Sequence, residues 1–262
     1  KELTHPFSYN DLDSLDRLFK EFPGQIAAVI MEPINIIEPK AGFLEGVKEI
    51  SHRYGALLIF DETITGFRYA KGGAQEYFGV IPDLATFGKG LANGFPISAV
   101  TGRLDIMNLM EEIFFSFTFG GETLSLAAAF ATLTKLQRED VIEKLWIQGQ
   151  KVMDRTKAII KQHGLESVIS VAGKACWSFL IFSDTDAYSQ WELKTLFLQE
   201  VFKRGLLILG SHNMSFAHSD SDISSLLEKY DEVFDIIKES LVKKNLNELL
   251  QCEPLIPLFK IR

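Results

Sequence analysis

Three continuous apolar runs in the first 90 residues, separated by segments with helical spacing, restrict the folds open to this chain. Such runs are typical of strands that are buried on both faces, as in parallel sheets. The predicted strands cover 25–31, 56–60 and 84–87, and a fourth is predicted at 97–101. Strands that alternate with helices imply right-handed crossovers, so we expect an α/β fold with a largely parallel sheet.

Helices are predicted where apolar residues recur at helical spacing between capping residues. In the first half they run from Asp11 to Phe22 and from Phe43 to Tyr54, the latter ended by Gly55. After Thr118 the pattern changes, and a smaller α+β domain is predicted over residues 141–262, following a first domain over residues 1–140. The elements predicted after Thr118 are helices at 123–138, 141–163, 191–204 and 222–243 and strands at 168–171, 177–182 and 206–209.

The composition argues against several classes of protein. The 262 residues are 47% hydrophobic and 24% charged, close to an ordinary soluble globular protein. A formal net charge of −8 argues against nonspecific binding to nucleic acid or to an anionic membrane, and no apolar run has the length of a spanning helix. Cys176 and Cys252 lack metal-ligand spacing, so we expect no metal and two buried or half-buried free thiols, which fits a reducing cytoplasm.

Two residues with reactive side chains follow predicted strands, where ligands of parallel sheets bind. Asp61 directly follows the second strand, and Lys89 follows the third, between Gly88 and Gly90, which allow the backbone a close approach to a ligand. A lysine amine can condense with an aldehyde. A carboxylate can pair with a protonated pyridine nitrogen, which then acts as an electron sink for a carbanion at the substrate Cα.

Five stretches around these two residues carry a resemblance to a known family. They are Met31-Glu32-Pro33, Asp61-Glu62-Thr63-Ile64-Thr65-Gly66-Phe67-Arg68, Pro82-Asp83-Leu84, Thr86-Phe87-Gly88-Lys89-Gly90 and Asn93-Gly94-Phe95-Pro96-Ile97. Together they resemble the class III aminotransferases, which depend on pyridoxal 5'-phosphate (PLP), and most closely the glutamate-1-semialdehyde aminomutase branch. The similarity extends from about residue 25 to residue 235.

The resemblance implies the type I PLP fold, with a large domain, a small C-terminal domain and a homodimer. It implies that Asp61 pairs with the pyridine nitrogen and that Lys89 holds PLP as a Schiff base and moves the substrate proton. Thr118 is implied to reach the phosphate across the dimer interface. Thr63 and Ile64 take positions beside the cofactor ring where the family usually has a small apolar residue and Gln or Met, which leaves the substrate range open.

The segment that supplies the family's phosphate cup and aromatic stacking residue is not in this chain, which begins at Lys1. We therefore expect the C-terminal part of such an enzyme, with an incomplete site on its own. Two functions stay open. One is PLP-dependent amino transfer, as an aminotransferase or aminomutase, between an amino donor and a carbonyl or amino-aldehyde substrate. The other is a truncated or degenerate paralogue with a binding or assembly role.

Five further polar residues each have more than one interpretation. Arg68 could recognise a substrate carboxylate, although such an arginine is more often an ion-pair partner. Structural roles are favoured for Glu62 and for Glu32, which matches a turn residue of the family. His212 and His218 are predicted in a polar surface loop, where one of them could touch substrate.

Overall fold

The structure is a computed structural model that describes residues 3–116 and 118–256. The chain divides into two compact units, Lys1–Ile142 and Glu143–Arg262. Each unit has its own sheet, with four strands in the first and three in the second.

The sheet of the first unit has the strand order β1-β2-β3-β4. The strands are β1 (Ala28–Met31), β2 (Leu57–Asp61), β3 (Leu84–Phe87) and β4 (Ala99–Gly102). β1 pairs with β2 and β2 with β3 in parallel, whereas β4 is antiparallel to β3. The predicted α/β class with a mostly parallel sheet is confirmed, and the fourth strand is the exception in direction.

Helices of the first unit cover the sheet and link its strands. They are α1 (Leu12–Glu21), α2 (Phe43–Arg53), α3 (Ala74–Phe78), α4 (Leu104–Met107) and α5 (Thr123–Arg138), with 3-10 helices at Lys89–Leu91 and Asn108–Glu111. Asp11 caps α1 by accepting a hydrogen bond from the Ser14 amide. The apolar faces of α1 and α2 and of strands β1 and β2 form one core, which includes Phe19, Val47 and Leu58.

The second unit is built around an antiparallel sheet in the order β5-β6-β7. Its strands are β5 (Ile169–Lys174), β6 (Trp177–Phe182) and β7 (Ser211–Asn213), and its helices are α6 (Val141–His163), α7 (Gln190–Lys203), α8 (Asp220–Lys243) and α9 (Leu246–Leu249). Reciprocal hydrogen bonds between Ser189 and Glu192 and between Ser219 and Asp222 form capping boxes that begin α7 and α8. Phe197, on α7, packs against aromatic rings of α8 in the core.

The strand predicted at 206–209 is wrong, because the partner of β6 lies further along the chain, at Ser211–Asn213. Two leucines of the predicted strand are largely exposed, Leu207 at 90% and Leu209 at 69%. An apolar run becomes a strand only where another strand can take its backbone hydrogen bonds. Here the N–H of Leu180 on β6 donates to the carbonyl of Gly210, just beyond the run.

The cysteines, the long helices and the possible metal ligands can be compared with what the composition predicted. Both cysteines are free thiols, but Cys252 is exposed, whereas Cys176 is buried as expected. Among the described residues, no helix combines the length and the apolar character needed to cross a membrane. In the same residues, no group of three His, Cys, Asp or Glu side chains is arranged to hold a metal ion.

Candidate active site

The carboxylate of Asp61 lies at the carboxyl end of β2, opposite Thr86 of β3. Its Oδ1 accepts hydrogen bonds from the Thr63 amide at 3.0 Å and from the Thr86 hydroxyl at 3.1 Å. Burial raises the pKa of Asp61, but the hydrogen bonds from Thr63 and Thr86 and the positive charge of Lys89 outweigh that effect. The pKa therefore lies below its ordinary value, and Asp61 is an anion at neutral pH.

A second carboxylate, that of Glu32, lies beside Asp61 at the end of β1. Met31 pairs in register with Phe60, so the residues that follow them are neighbours across two parallel strands. Glu32 Oε2 accepts one hydrogen bond, from Asn35 Nδ2 at 2.8 Å. Burial and then the negative charge of Asp61 raise the pKa of Glu32, and together they outweigh Asn35 and Lys89, which lower it.

The positive charge of Lys89 lowers the pKa of both Asp61 and Glu32. Lys89 is exposed and begins the 3-10 helix that follows β3. Its φ of 37° is in the left-handed region, which a residue with a side chain seldom adopts. The preceding Gly88 is buried, and a Cβ there would lie 3.3 Å from Cγ2 of Thr63, so the lysine is held close to the turn after Asp61.

The remaining residues predicted for the site lie in two places. Thr63 and Ile64 are half-buried in the turn that follows β2, and Arg68 is half-buried further along it. Thr118 is exposed, between the 3-10 helix Asn108–Glu111 and α5. Within the described parts of the chain, no hydrogen bond joins Thr118 to Asp61.

Two participants in this cluster were missed by sequence reasoning. Thr86 was quoted only as part of a matching stretch, and for Glu32 a structural role was favoured. Both follow from the strand register, which sets Thr86 opposite Asp61 and sets Glu32 one step beyond the Met31–Phe60 pair. The usable signal was a polar residue at the end of each of three predicted parallel strands.

Glu62, next to Asp61 in sequence, has a structural role, as was favoured. Its side chain is fully buried and accepts hydrogen bonds from the amides of Ala74 and Gln75, each at 2.8 Å, and from the Thr65 hydroxyl. Negative charge at a helix N-terminus satisfies amides that have no partner within the helix. Glu62 therefore holds the start of α3.

A further carboxylate, Asp83, lies at the opposite end of the same strands, just before β3. Its oxygens accept hydrogen bonds from the Leu58 amide at 2.8 Å, from His52 Nε2 at 2.8 Å and from an Arg103 guanidinium nitrogen at 2.9 Å. Burial raises the pKa of Asp83, but these donors more than offset it and hold the pKa below its ordinary value. Asp83 ties β2, α2 and β4 together at the end of the sheet away from Asp61.

The prediction of a surface loop at His212 is wrong. His212 is the central residue of β7 and is buried, with Nδ1 at 2.9 Å from Ser178 Oγ and Nε2 at 2.8 Å from the Tyr230 hydroxyl. Burial lowers the pKa of His212 to about 4. His218 is half-buried, and its Nδ1 accepts a hydrogen bond from the Ser215 amide at 3.2 Å.

The family inferred from the motifs is confirmed by comparison with known proteins. The family model described as aminotransferase class-III matches residues 7–241. This chain belongs to the class-III aminotransferase family.

Two curated relatives illustrate the range of activities among similar proteins. The chain is 35% identical over 258 residues to glutamate-1-semialdehyde 2,1-aminomutase of Syntrophobacter fumaroxidans, covering 90% of this chain and 58% of the relative. It is 30% identical over 246 residues to 3-aminobutyryl-CoA aminotransferase of Cloacimonas acidaminovorans, covering 90% of this chain and 59% of the relative. The chain thus spans less than two thirds of the length of these relatives.

Solved structures share the fold. The FumI protein of a Sphingopyxis species, determined in its PLP internal aldimine form, superposes with a TM-score of 0.84 at 27% identity, over 94% of this chain and 60% of that chain. The β-phenylalanine aminotransferase of Variovorax paradoxus superposes with a TM-score of 0.78 at 25% identity, over 90% of this chain and 57% of that one. The fold is that of PLP-dependent transaminases, as the motifs predicted.

Proposed function

We propose that this protein transfers amino groups with PLP and that Lys89 and Asp61 are its catalytic residues. One observation carries the proposal: an ionised carboxylate and an exposed amine lie close together at the ends of adjacent parallel strands. The membership in the class-III aminotransferase family supports it.

The groups at the strand ends fit the chemistry of PLP. An anionic Asp61 matches a protonated ring nitrogen, and the amine of Lys89 matches the cofactor's aldehyde carbon. Thr63 and Ile64, in the turn after Asp61, are proposed to lie beside the ring, and Thr118 is proposed to contact the phosphate. When bound, PLP supplies an electron sink for charge that develops at the substrate Cα.

Asp61 and Lys89 would have separate roles in this reaction. Asp61 keeps a fixed negative charge because the Thr63 amide and the Thr86 hydroxyl hold its Oδ1. Lys89 would first anchor the cofactor through Nζ and, once released, would accept a proton from the substrate Cα and deliver it to the C4′ carbon of the cofactor.

The wider organisation belongs to the same proposal. We assign residues 1–140 to part of the large PLP-binding domain and residues 141–262 to the small C-terminal domain. The substrates are an amino donor and a carbonyl or amino-aldehyde compound, in keeping with relatives named as an aminomutase and an aminotransferase. A homodimer is proposed, with the isolated chain inactive until an N-terminal segment completes the site.

Attachment of the cofactor tests this function directly. The 262-residue chain, alone and mixed with the N-terminal segment of a class-III relative, is incubated with PLP, reduced with borohydride and digested for mass spectrometry. The expected result is a pyridoxyl adduct on Lys89 that is absent from Lys89→Ala and present in Lys71→Ala, which removes an exposed lysine of the same unit. An adduct elsewhere, or none even in the mixture, would favour a non-catalytic paralogue with a binding role.

A further inference from the structure

We propose that Glu32 is a positioning residue of this site, which takes up a proton before Asp61 does and thereby keeps the negative charge on Asp61. The inference deepens the proposed function and takes its catalytic meaning from it. It concerns which of two neighbouring carboxyl groups is charged, a property that exists in the chain with or without a cofactor.

The strand register brings the two carboxyl groups together. Glu32 follows β1 directly and Asp61 ends β2, and these strands are parallel with Met31 paired to Phe60. Neighbouring parallel strands lie about 4.8 Å apart, and residues at matching positions point to the same face. Two carboxylates at such a separation repel each other when both are ionised, so the first proton bound by the pair goes to one of them.

Unequal hydrogen bonding decides which group receives that proton. Asp61 Oδ1 is held by the Thr63 amide and the Thr86 hydroxyl. Among the residues that the structure describes, Glu32 has one hydrogen-bond donor, the exposed side-chain amide of Asn35. Hydrogen bonds to a carboxylate stabilise its charged form, so Asp61 is the better stabilised anion and Glu32 the better proton acceptor.

Other ionisable groups near the pair either favour the same order of protonation or affect both carboxyl groups. Lys89 stabilises the negative charge of each carboxylate. Tyr9 donates its hydroxyl proton to the Pro33 carbonyl at 2.8 Å, and burial followed by the charge of Glu32 raises the pKa of Tyr9, which therefore stays neutral beside Glu32. Burial and the charge of Asp61 raise the pKa of Glu32, in keeping with the order inferred from the hydrogen bonds.

The arrangement has a consequence for the proposed chemistry. A cationic ring nitrogen needs one fixed negative partner, which is Asp61 in this proposal. A second full negative charge, on Glu32, would attract the ammonium group of Lys89. A protonatable Glu32 removes that second charge as the pH falls, while the charge on Asp61 persists. Glu32 acts through Asp61 and Lys89 and is given no contact with substrate.

Carboxyl titration by NMR tests the order of protonation in the 262-residue chain without PLP. Chains labelled with ¹³C at side-chain carboxyls are titrated as wild type, Glu32→Gln and Asn35→Ala. We expect the Glu32 midpoint to lie at higher pH than the Asp61 midpoint. In a further variant, Asp61→Asn should move the Glu32 midpoint to lower pH, because Asp61 is still ionised while Glu32 takes up its proton. Glu32→Gln should leave the Asp61 midpoint nearly in place, because Glu32 is already neutral at that pH, and Asn35→Ala should move the Glu32 midpoint to higher pH.

A matched control and a separate binding measurement distinguish the two proposals. Glu38→Gln removes one negative charge from the exposed loop after the same strand and should move the Glu32 midpoint far less than Asp61→Asn does. An Asp61 midpoint above that of Glu32, or a Glu32 midpoint unmoved by Asp61→Asn, overturns the inference even if PLP attaches to Lys89. The expected order, found in a chain whose Lys89 takes no PLP, would retain the inference about the pair and overturn the proposed function.

Discussion

Asp61 and Asp83 lie at opposite ends of the same pair of parallel strands, β2 and β3, and each is the hydrogen-bond acceptor at its end. The Asp83 carboxylate is nearly fully occupied by donors from three neighbouring elements. Asp61 instead interacts electrostatically with an exposed lysine, Lys89, and with a second carboxylate, that of Glu32. The structural and the proposed catalytic acid are therefore separated by the length of the strands.

Substitution of Asp61 should affect chemistry and leave stability nearly unchanged. Asp61→Asn keeps an oxygen that can accept the Thr63 and Thr86 hydrogen bonds but removes the charge. We expect the amino-transfer half-reaction of the PLP-loaded, completed enzyme to slow by about tenfold to a hundredfold, since a charge-assisted hydrogen bond is worth roughly 1.5–3 kcal/mol. Stopped-flow absorbance measures the rate, and an unchanged rate would contradict the role of Asp61.

Substitution of the next residue, Glu62, should have the opposite effect. Glu62→Gln sets a side-chain NH₂ group against one of two backbone amides, those of Ala74 and Gln75, so a buried donor loses its acceptor. We expect a loss of about 1–3 kcal/mol in the free energy of unfolding. Urea titration followed by far-UV circular dichroism, which reports helices of both units, measures it, and a variant as stable as the wild type would show that Glu62 does not hold α3.

Removal of Asp83 should destabilise the chain far more than removal of Asp105, although both pair with Arg103. Asp83 is buried, and Asp83→Ala strands the Leu58 amide, at a cost of about 1–3 kcal/mol for that group alone. Asp105 is exposed, so Asp105→Ala should cost under about 1 kcal/mol. Equal losses in urea unfolding would mean that the ion pair with Arg103, and not the buried amide, dominates.

The stability of the second unit should depend on pH through His212. Its pKa falls from 6.5 to about 4 on folding, so the unfolded chain binds a proton between these values and the folded chain does not. The stability that depends on a neutral His212 is therefore fully present above pH 6.5. The free energy of unfolding falls as the pH is lowered towards 4, by about 2 kcal/mol between pH 7 and pH 5. Urea unfolding at both pH values should show this loss in the wild type but a smaller one in His212→Gln, and equal losses would exclude His212 as the cause.

Gly149→Ala should destabilise a helix that such a change ordinarily stabilises. Alanine in a helix interior is favoured over glycine by about 1 kcal/mol, but a methyl group at Gly149 of α6 would overlap the backbone carbonyl of Ala175. We expect a net loss of about 1–3 kcal/mol from the forced backbone shift. Gly46→Ala in α2 is the matched control, because its methyl meets only the flexible side chain of Leu12. Thermal unfolding of both variants should therefore differ clearly.

The elements with a strong local signal were predictable from sequence. The bounds of β3, β6, α5 and α6 agree with the patterns of apolar residues and caps, because a buried strand or an amphipathic helix carries its signal within its own residues. The placement of Asp61 and Lys89 at the ends of neighbouring strands was predictable for a related reason. Asp61 directly follows one apolar run, Lys89 is separated from the next by Gly88 alone, and their spacing and flanking residues match one family.

Features that depend on distant partners were not predictable. β7 consists of polar residues, and its central His212 is buried only because Ser178 and Tyr230 supply hydrogen-bond partners from other elements. Helix α3 is five residues long and depends on the carboxylate of Glu62, twelve or more positions upstream. The coupling of Glu32 to Asp61 required the register of β1 and β2, which no periodicity in the sequence reports.

Side chains alternate in direction along an extended chain, so the adjacent acids at the end of β2, Asp61 and Glu62, point to opposite sides and contact different neighbours. A shift of one position in the pairing of β2 would exchange them, presenting to Lys89 the acid that now secures α3 and burying the other without its donors. Gaining or losing a single residue in this strand would thus disrupt both the proposed chemistry at Lys89 and the start of α3. Alignments of distant relatives can be checked at this dipeptide, where an error of one column would mistake the structural Glu62 for the proposed catalytic residue Asp61.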